Sequence, residues 1–388
     1  FLVFQIMQTS AFTYASVPSG VVPLLGALAS PESNWGAIRV SGADATAFLH
    51  AQLSNDVKQL SDTQARLAAW CSAQGRMLAS FVLVRELVRE QNSTPESSYL
   101  LLCRADLLAA TIKRLKMFVL RSKVQIEDAS DDVAVYGLLG EAAQTHWQGQ
   151  AGAQTEPLAE PLANAPWSAL RQQVVADAVA DADTATPASR LLVWLYPANL
   201  PPHPALPRAL CVQARHLPPP AGAIGTLADW QYAEVCGGVA TIEQANSDAF
   251  VPQMLNFESV GGVSFKKGCY PGQEVVARSQ FRGAIKRRAY VANGFAASNA
   301  EMPATTMPAV AMPVWSVPLD SAPTEQTPEE CGQIVQVAIH PSGHVAAIVC
   351  LQNSAAQAIA QGAATLRLGS ATGLALQLQP LAYALIEV

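Results

Sequence analysis

Charge is scarce in this 388-residue chain, where only 14% of residues are Asp, Glu, Lys or Arg. An average globular domain carries roughly a quarter. Half of the residues are apolar, which excludes an intrinsically disordered chain, since disorder needs low hydrophobicity and high charge. The 24 basic and 30 acidic groups leave a net charge of −6. That balance excludes a general nucleic-acid binder, so any anion must be met by a local patch. Unbroken apolar runs are missing as well. The uncharged stretch from Met302 to Leu319 carries Pro303, Pro308, Pro313 and Pro318, and prolines so placed break a spanning helix. The uncharged N-terminal stretch is interrupted by Pro18, Gly20, Pro23 and Gly26, lacks the basic flank of a signal peptide, and offers Met7 as a natural start. These features predict a soluble, cytoplasmic protein with no membrane partner.

Paired cysteines are absent too. The seven lie at 71, 103, 211, 236, 269, 331 and 350, nowhere closer than nineteen residues. This spacing excludes a Cys-x-x-Cys chelate or redox pair and fits reduced thiols that mostly fill cores. His340 and His344 flank Pro341-Ser342-Gly343, a turn sequence better read as neighbouring strand ends than as a zinc site, and no metal site is expected. No Gly-x-Ser-x-Gly elbow, phosphate-binding Gly-x-x-x-x-Gly-Lys loop or Gly-x-Gly-x-x-Gly fingerprint occurs, which removes most support from hydrolase, nucleotidase and ordinary dinucleotide readings. No internal repeat is visible.

Periodicity supplies the elements. Strands are predicted at Trp35–Val40, in a hairpin of Arg66–Ser72 and Arg76–Arg85, at Tyr99–Cys103, and near Val124–Ile126 and Val133–Leu138. Helices are predicted from Ser41-Gly42 to about Leu53 and over Asp106–Leu120, the latter with Lys113, Arg114 and Lys116 facing outward. A buried strand is expected at Leu191–Tyr196. Eight prolines between Pro197 and Pro220 predict a loop-rich connection. Ala228–Cys236 reads as a helix. After Lys286 the pattern becomes strands at Ala289–Asn293, Gly332–Ile339, Val345–Leu351 and near Leu366 and Leu376, with one helix at Ser354–Gln361 and a long loop over 302–328. The expected class is α+β, in three regions: 1–140, 141–285 and a β-barrel over 286–388. Interleaving of the first two in sequence is left open.

One segment stands apart: Phe265-Lys266-Lys267-Gly268-Cys269-Tyr270-Pro271-Gly272-Gln273-Glu274. Pro271 is suited to the first position of a helix carrying Glu274 in its first turn. Cys269 then sits before a helix N-terminus with two lysines nearby, and both features favour the thiolate. Gly268 and Gly272 would let the backbone approach a ligand closely. A reactive thiol and a buried structural cysteine both fit this local sequence. Seven of the basic residues, Lys266, Lys267, Arg278, Arg282, Lys286, Arg287 and Arg288, fall within 23 positions, which points to an anion site. Trp35 and Trp230 are candidates for stacking a flat ligand in an apolar cleft, although a single tryptophan is usually core.

The run from Phe250-Val251-Pro252-Gln253 through Lys267-Gly268-Cys269-Tyr270-Pro271-Gly272-Gln273-Glu274 to Arg282-Gly283 resembles the signature of the YgfZ-type folate-binding proteins, relatives of the glycine-cleavage T-protein aminomethyltransferase. The resemblance implies a three-domain architecture, two α+β domains and a C-terminal β-barrel around a central folate channel. It further implies tetrahydrofolate or a derivative as cofactor, held by Trp35 and Trp230; the basic cluster, with Lys286 and Arg288, is then expected to receive its glutamate carboxylates. Cys269 would be the reactive residue, supported by Lys267, Gly268, Tyr270, Gly272, Gln273 and Glu274. The implied role is support of iron–sulfur cluster assembly or repair and, through it, tRNA modification. The implied partners are folate and iron–sulfur client enzymes or assembly proteins, and direct contact with tRNA is left open. The alternatives are a tetrahydrofolate-dependent one-carbon transferase of aminomethyl type and a pure docking module. The segment Glu86 to Ser98 occupies the place of the transferase branch's acidic folate residue without matching its pattern, which argues against glycine-cleavage activity.

Overall fold

Sheet formation is set by tight turns between apolar runs. The clearest is Ala73-Gln74-Gly75, where Gly75 takes φ +72° and Ser72 N–H donates to Arg76 C=O at 2.8 Å. Only a residue without Cβ enters that conformation cheaply. In the computed structural model, which describes residues 18–86, 97–148, 165–174, 188–201, 203–281, 285–296, 307–319 and 327–386, this turn joins β3 (Arg66–Cys71) to β4 (Met77–Glu86). They continue through β5 (Ser97–Arg104), β2 (Trp35–Gly42) and β6 (Gln125–Asp128) into a sheet ordered β3-β4-β5-β2-β6, antiparallel throughout. Helix α2 (Ala105–Lys116) packs on β2 and β6. It buries Leu107, Leu108, Thr111 and Leu115, the i, i+1, i+4, i+8 stripe of an amphipathic helix.

A second antiparallel sheet is ordered β1-β7-β10-β9-β8, from β1 (Gly20–Leu25), β7 (Val133–Leu139), β8 (Ala169–Val174), β9 (Ala188–Trp194) and β10 (Arg208–Ala214). A single boundary at 140 does not separate the two sheets, and the interleaving left open by the sequence is present. Strands β1 and β7 belong with β8–β10, so the sheet of β2–β6 is inserted between strands of the other. The loop expected over Pro197–Pro220 is also corrected, because β10 lies inside it, paired on both sides. Its residues fall in the proline-free interval between Pro207 and Pro218, so every ladder donor is present. The third unit is a closed barrel in the order β11-β14-β13-β12-β15-β16. It comprises β11 (Arg287–Phe295), β12 (Pro313–Pro318), β13 (Glu329–Ile339), β14 (His344–Gln352), β15 (Ala364–Leu368) and β16 (Ala375–Gln379). Strand β12 corrects the long loop expected over 302–328; its two prolines occupy its ends, where they cost the ladder least. Met7, Arg282 and Gly283 lie outside the described residues.

A buried ion pair and its neighbours join the first sheet, α4 and the barrel. Arg104 ends β5 and caps α2; its Nη2 donates to Glu234 Oε2 at 2.8 Å and to Thr241 Oγ1 at 2.9 Å. Glu234 lies on α4 (Leu227–Cys236), and Thr241 donates from both its N–H and its hydroxyl to Gln336 Oε1 of the barrel strand β13. Removing one partner of such a pair typically costs about 3–5 kcal/mol, because the other charge stays buried alone. Arg104→Met is expected to lower the thermal unfolding midpoint sharply, and the double variant Arg104→Met/Glu234→Leu to recover part of that loss. A double variant as unstable as the single one would show that packing, and not charge pairing, dominates here.

Candidate functional site

The signature segment is held by hydrogen bonds reaching across most of the chain. Asn55 Nδ2 donates to Gly261 C=O at 2.6 Å and Ser54 Oγ to Gly262 C=O at 2.6 Å. Ser264 N–H donates to Ser54 C=O at 2.9 Å, and Trp167 Nε1 to Val260 C=O at 2.8 Å. These bonds lay residues 260–264 against β3 and the end of α1 (Ala45–Gln52). Lys267 follows, buried, with its Nζ donating to the carbonyls of His50 and Leu53. Those carbonyls belong to the helix C-terminus, where a cation satisfies orphan acceptors and the negative dipole end together. Burial pulls the Lys267 pKa down to about 8, with Asp56 and Cys269 opposing the shift. The ammonium also lies 4.8 Å from the Tyr270 ring centroid. Tyr270 is buried, and burial raises its pKa.

Gly272 and Gly268 serve different ends. A Cβ on Gly272, at φ +77°, would lie 2.4 Å from Ser72 C=O and 2.5 Å from Gly75 Cα. The glycine therefore seats the loop on the β3–β4 turn and is not a ligand contact. A Cβ on Gly268 would meet only His50 Nε2, at 4.0 Å. Helix α5 runs Gln273–Phe281, two residues later than the expected start at Pro271, because Gly272 is held in a left-handed conformation that a helix cannot include. Gln273 opens α5, and Glu274 pairs with Arg278 at 2.8 Å in solvent. Cys269 projects from the loop ahead of this helix. It is the exposed member of the seven cysteines; the other six are buried.

His50 was not among the residues singled out by the sequence. Its ring lies beside Gly268, its Nδ1 is 3.2 Å from Asp56 Oδ1, and burial lowers its pKa. Nothing local in the sequence signals this, since 217 residues separate it from Lys267.

The tryptophans are interior. Trp35, 8% exposed, opens β2 with the Arg104 guanidinium 5.3 Å from its ring centroid. Trp230, 0% exposed, lies on α4 with the Arg208 guanidinium at 5.5 Å and the Gly137 backbone so close that a Cβ there would come within 2.2 Å of the indole. Glu234, bonded to Arg104 and one turn beyond Trp230, links the two rings through a shared charge cluster. Trp230 Nε1 and Arg208 Nη1 are buried without a hydrogen-bond partner among the described residues, and burial pulls the Arg208 pKa down to about 10. The cavity touching Trp35 has a volume of about 10 Å³, room for roughly one water.

The two basic residues expected to receive carboxylates part company. Lys286 is exposed on an open depression of about 460 Å³, shared with Ile285, Arg287, Gln352, Asn353 and Ser354. Arg288 is corrected: its guanidinium is buried, 2.6 Å from Glu258 Oε1, and also donates to Asn256 Oδ1 at 3.1 Å and Ile386 C=O at 3.0 Å. It ties the barrel to the loop of residues 256–258 and is not free for an incoming anion. The depression at Lys286 shares no lining residue with the cavity at Trp35.

Burial holds the thiols of Cys71, Cys103, Cys211, Cys236 and Cys350 up to about 12 and that of Cys331 up to about 11. A free thiol ionises near 8.5. Between those values the unfolded chain releases protons that the folded chain keeps, so stability falls as pH rises. The unfolding midpoint is expected to drop from pH 8.5 to 10.5, and alkylation of the native protein at pH 8 to modify one thiol, Cys269. Modification of a second cysteine at a comparable rate would contradict the buried placement of the others.

No family model matches the chain. Over 95% of its length it superposes on 86% of the glycine cleavage system aminomethyltransferase T from Bartonella henselae, with a TM-score of 0.54 and 14% identity, a likeness that establishes the fold. The chain is 30% identical over 264 residues to the tRNA-modifying protein YgfZ of Klebsiella pneumoniae (strain 342), covering 68% of this chain and 71% of that protein. With the lysine-capped loop that presents Cys269 and the T-protein-like three-unit fold, this relationship establishes that the chain belongs to the YgfZ family of tRNA-modifying proteins.

Proposed function

We propose that this protein is a folate-binding accessory factor that supports iron–sulfur proteins, and thereby tRNA modification, with Cys269 as its reactive group. The observation that carries this reading is the display of one accessible thiol by a loop anchored on both sides of it, by Lys267 and by Gly272. Lys267 caps α1, Gly272 seats the loop on a hairpin, and Cys269 alone among the cysteines faces solvent. A core cysteine needs none of this. Soft sulfur chemistry on a client's cluster or persulfide does.

Tetrahydrofolate, or a derivative, is proposed to bind at the cluster of Trp35, Arg104, Arg208, Trp230 and Glu234. The donor set suits a pterin: Trp230 Nε1 and Arg208 Nη1 are buried N–H groups lacking acceptors, and a heterocycle with carbonyl and ring-nitrogen acceptors would satisfy them. The space does not suit it as packed, since about 10 Å³ is far below the roughly 300 Å³ of a small-molecule site. Binding therefore requires side chains around Trp35 to move and enlarge this cavity. Lys286 is the residue proposed for the folate tail.

Tetrahydrofolate is expected to quench tryptophan fluorescence, and Trp230→Phe, which deletes the N–H and keeps a ring, to weaken binding several-fold. Unchanged affinity in both Trp230→Phe and Trp35→Ala would remove the proposed folate site. Cys269→Ser should keep fold and folate binding while lowering the activity of cluster-dependent tRNA-modifying enzymes in cells where it replaces the parent protein. Full activity with Cys269→Ser would remove the proposed reactive role of the cysteine. Carbon transfer from a one-carbon donor during turnover would replace the accessory role with a transferase.

A further inference from the structure

A second feature lies where α2 ends. Its last turn and the connection to β6 contain Lys113, Arg114, Lys116, Arg121 and Lys123, five cations in eleven residues with no acid between them. All five are exposed, and among the described residues none forms an ion pair. The Arg114 guanidinium lies 5.6 Å from the Trp70 ring centroid, which leaves the four others for a partner. Between them stand Met117, Phe118 and Leu120, exposed at 62%, 45% and 87%. These three account for a third of the nine large hydrophobic residues exposed among the described ones, and they fall within four positions. An apolar cluster left in water among cations, with the Asp44 carboxylate held by the Lys123 main chain, marks a contact surface.

The backbone beneath is firmly held. Leu115 is fully buried and Val119 packs on the core. Phe118 N–H donates to Leu115 C=O at 3.0 Å and Val119 N–H to Lys116 C=O at 3.2 Å. Lys123 is pinned at both main-chain groups, its N–H to Asp44 Oδ2 at 2.7 Å and its C=O to Asp44 N–H at 3.2 Å. The same carbonyl presses on Gly42, where a Cβ would lie 2.2 Å away. The corner is thus preorganised, and its exposed side chains are presented without an ordering cost at the backbone.

We propose that this corner is a docking site for the phosphate backbone and an unstacked base of RNA, with folded tRNA as the partner. Positive charge on a chain of net charge −6 calls for a polyanion that can be met locally. The four free cations would track phosphates, while Phe118 offers a ring on which a base stacks, flanked by Met117 and Leu120. The choice of RNA among polyanions rests on the proposed service to tRNA modification. The site itself is separate from Cys269 and the tryptophan cluster, so its test does not depend on theirs.

The experiment is fluorescence anisotropy with labelled total tRNA between 50 and 200 mM salt, on the full chain and two variants. For the parent, affinity should fall with salt; in Lys116→Ala/Arg121→Ala/Lys123→Ala the log–log slope should shrink by about two to three, at about 0.7–0.9 per lost phosphate contact. Phe118→Ala should weaken binding about tenfold with the slope unchanged. Both variants should keep the parent's unfolding midpoint and Cys269 alkylation rate. Absence of tRNA binding, or the parent's slope in the triple variant, overturns the proposal. Binding to phosphatidylserine vesicles but not to tRNA overturns it in favour of a membrane surface.

Discussion

Everything in this fold hangs on the buried contact between Arg104 and Glu234. Arg104 is the last residue of β5 and the cap of α2, so its position carries the first sheet with it. Glu234 lies on α4, and Thr241 passes the same network to Gln336 in the barrel. A charge buried without its partner is penalised by several kcal/mol, so this pair couples the first sheet and α4, and Thr241 extends the coupling to the barrel. The network also encloses Trp35 and Trp230, each beneath a guanidinium. Any ligand that entered at these rings would have to disturb contacts that join the first sheet, α4 and the barrel.

The signature loop solves the opposite problem. Its task is to keep one side chain outside, and it does so by burying its neighbours. Lys267 is spent on the C-terminus of α1, and Tyr270 is buried beneath it. Gly272 abuts the β3–β4 turn so closely that no side chain fits. Cys269 is left exposed on a rigid base, while six other thiols are pushed toward higher pKa by burial. Cysteine is one residue type in two roles here, and solvent exposure divides them.

Much of the fold was legible in the sequence. The hairpin of β3 and β4, helices α2 and α4, and strands β13 and β14 lie within a few residues of where periodicity and turn chemistry place them, because those signals are local. Strand β10 was hidden by the prolines around it, and β12 by those at its ends. Whether a proline breaks a strand depends on which donors face a neighbour, and only the assembled sheet settles that. The insertion of one sheet between strands of another left no local trace either, because β1 and β7 find their partners through pairing across more than a hundred residues.

By itself, the sequence determined the element types, the barrel at the C-terminal end and the chemical identity of the loop around Cys269, all of which rest on spacing within one or two turns of chain. Tertiary structure decided how its charges and rings are used. Arg288 was turned from a ligand candidate into the partner of Glu258, Lys267 from a neighbour of the thiol into a helix cap, and Trp230 was placed wholly in the interior beneath a guanidinium. Conversely, among the described residues it left the cations at the end of α2 without ion pairs. The reason is physical: a charge or ring is assigned its role by what desolvates and pairs it, and here the partners lie 30 to 217 residues away.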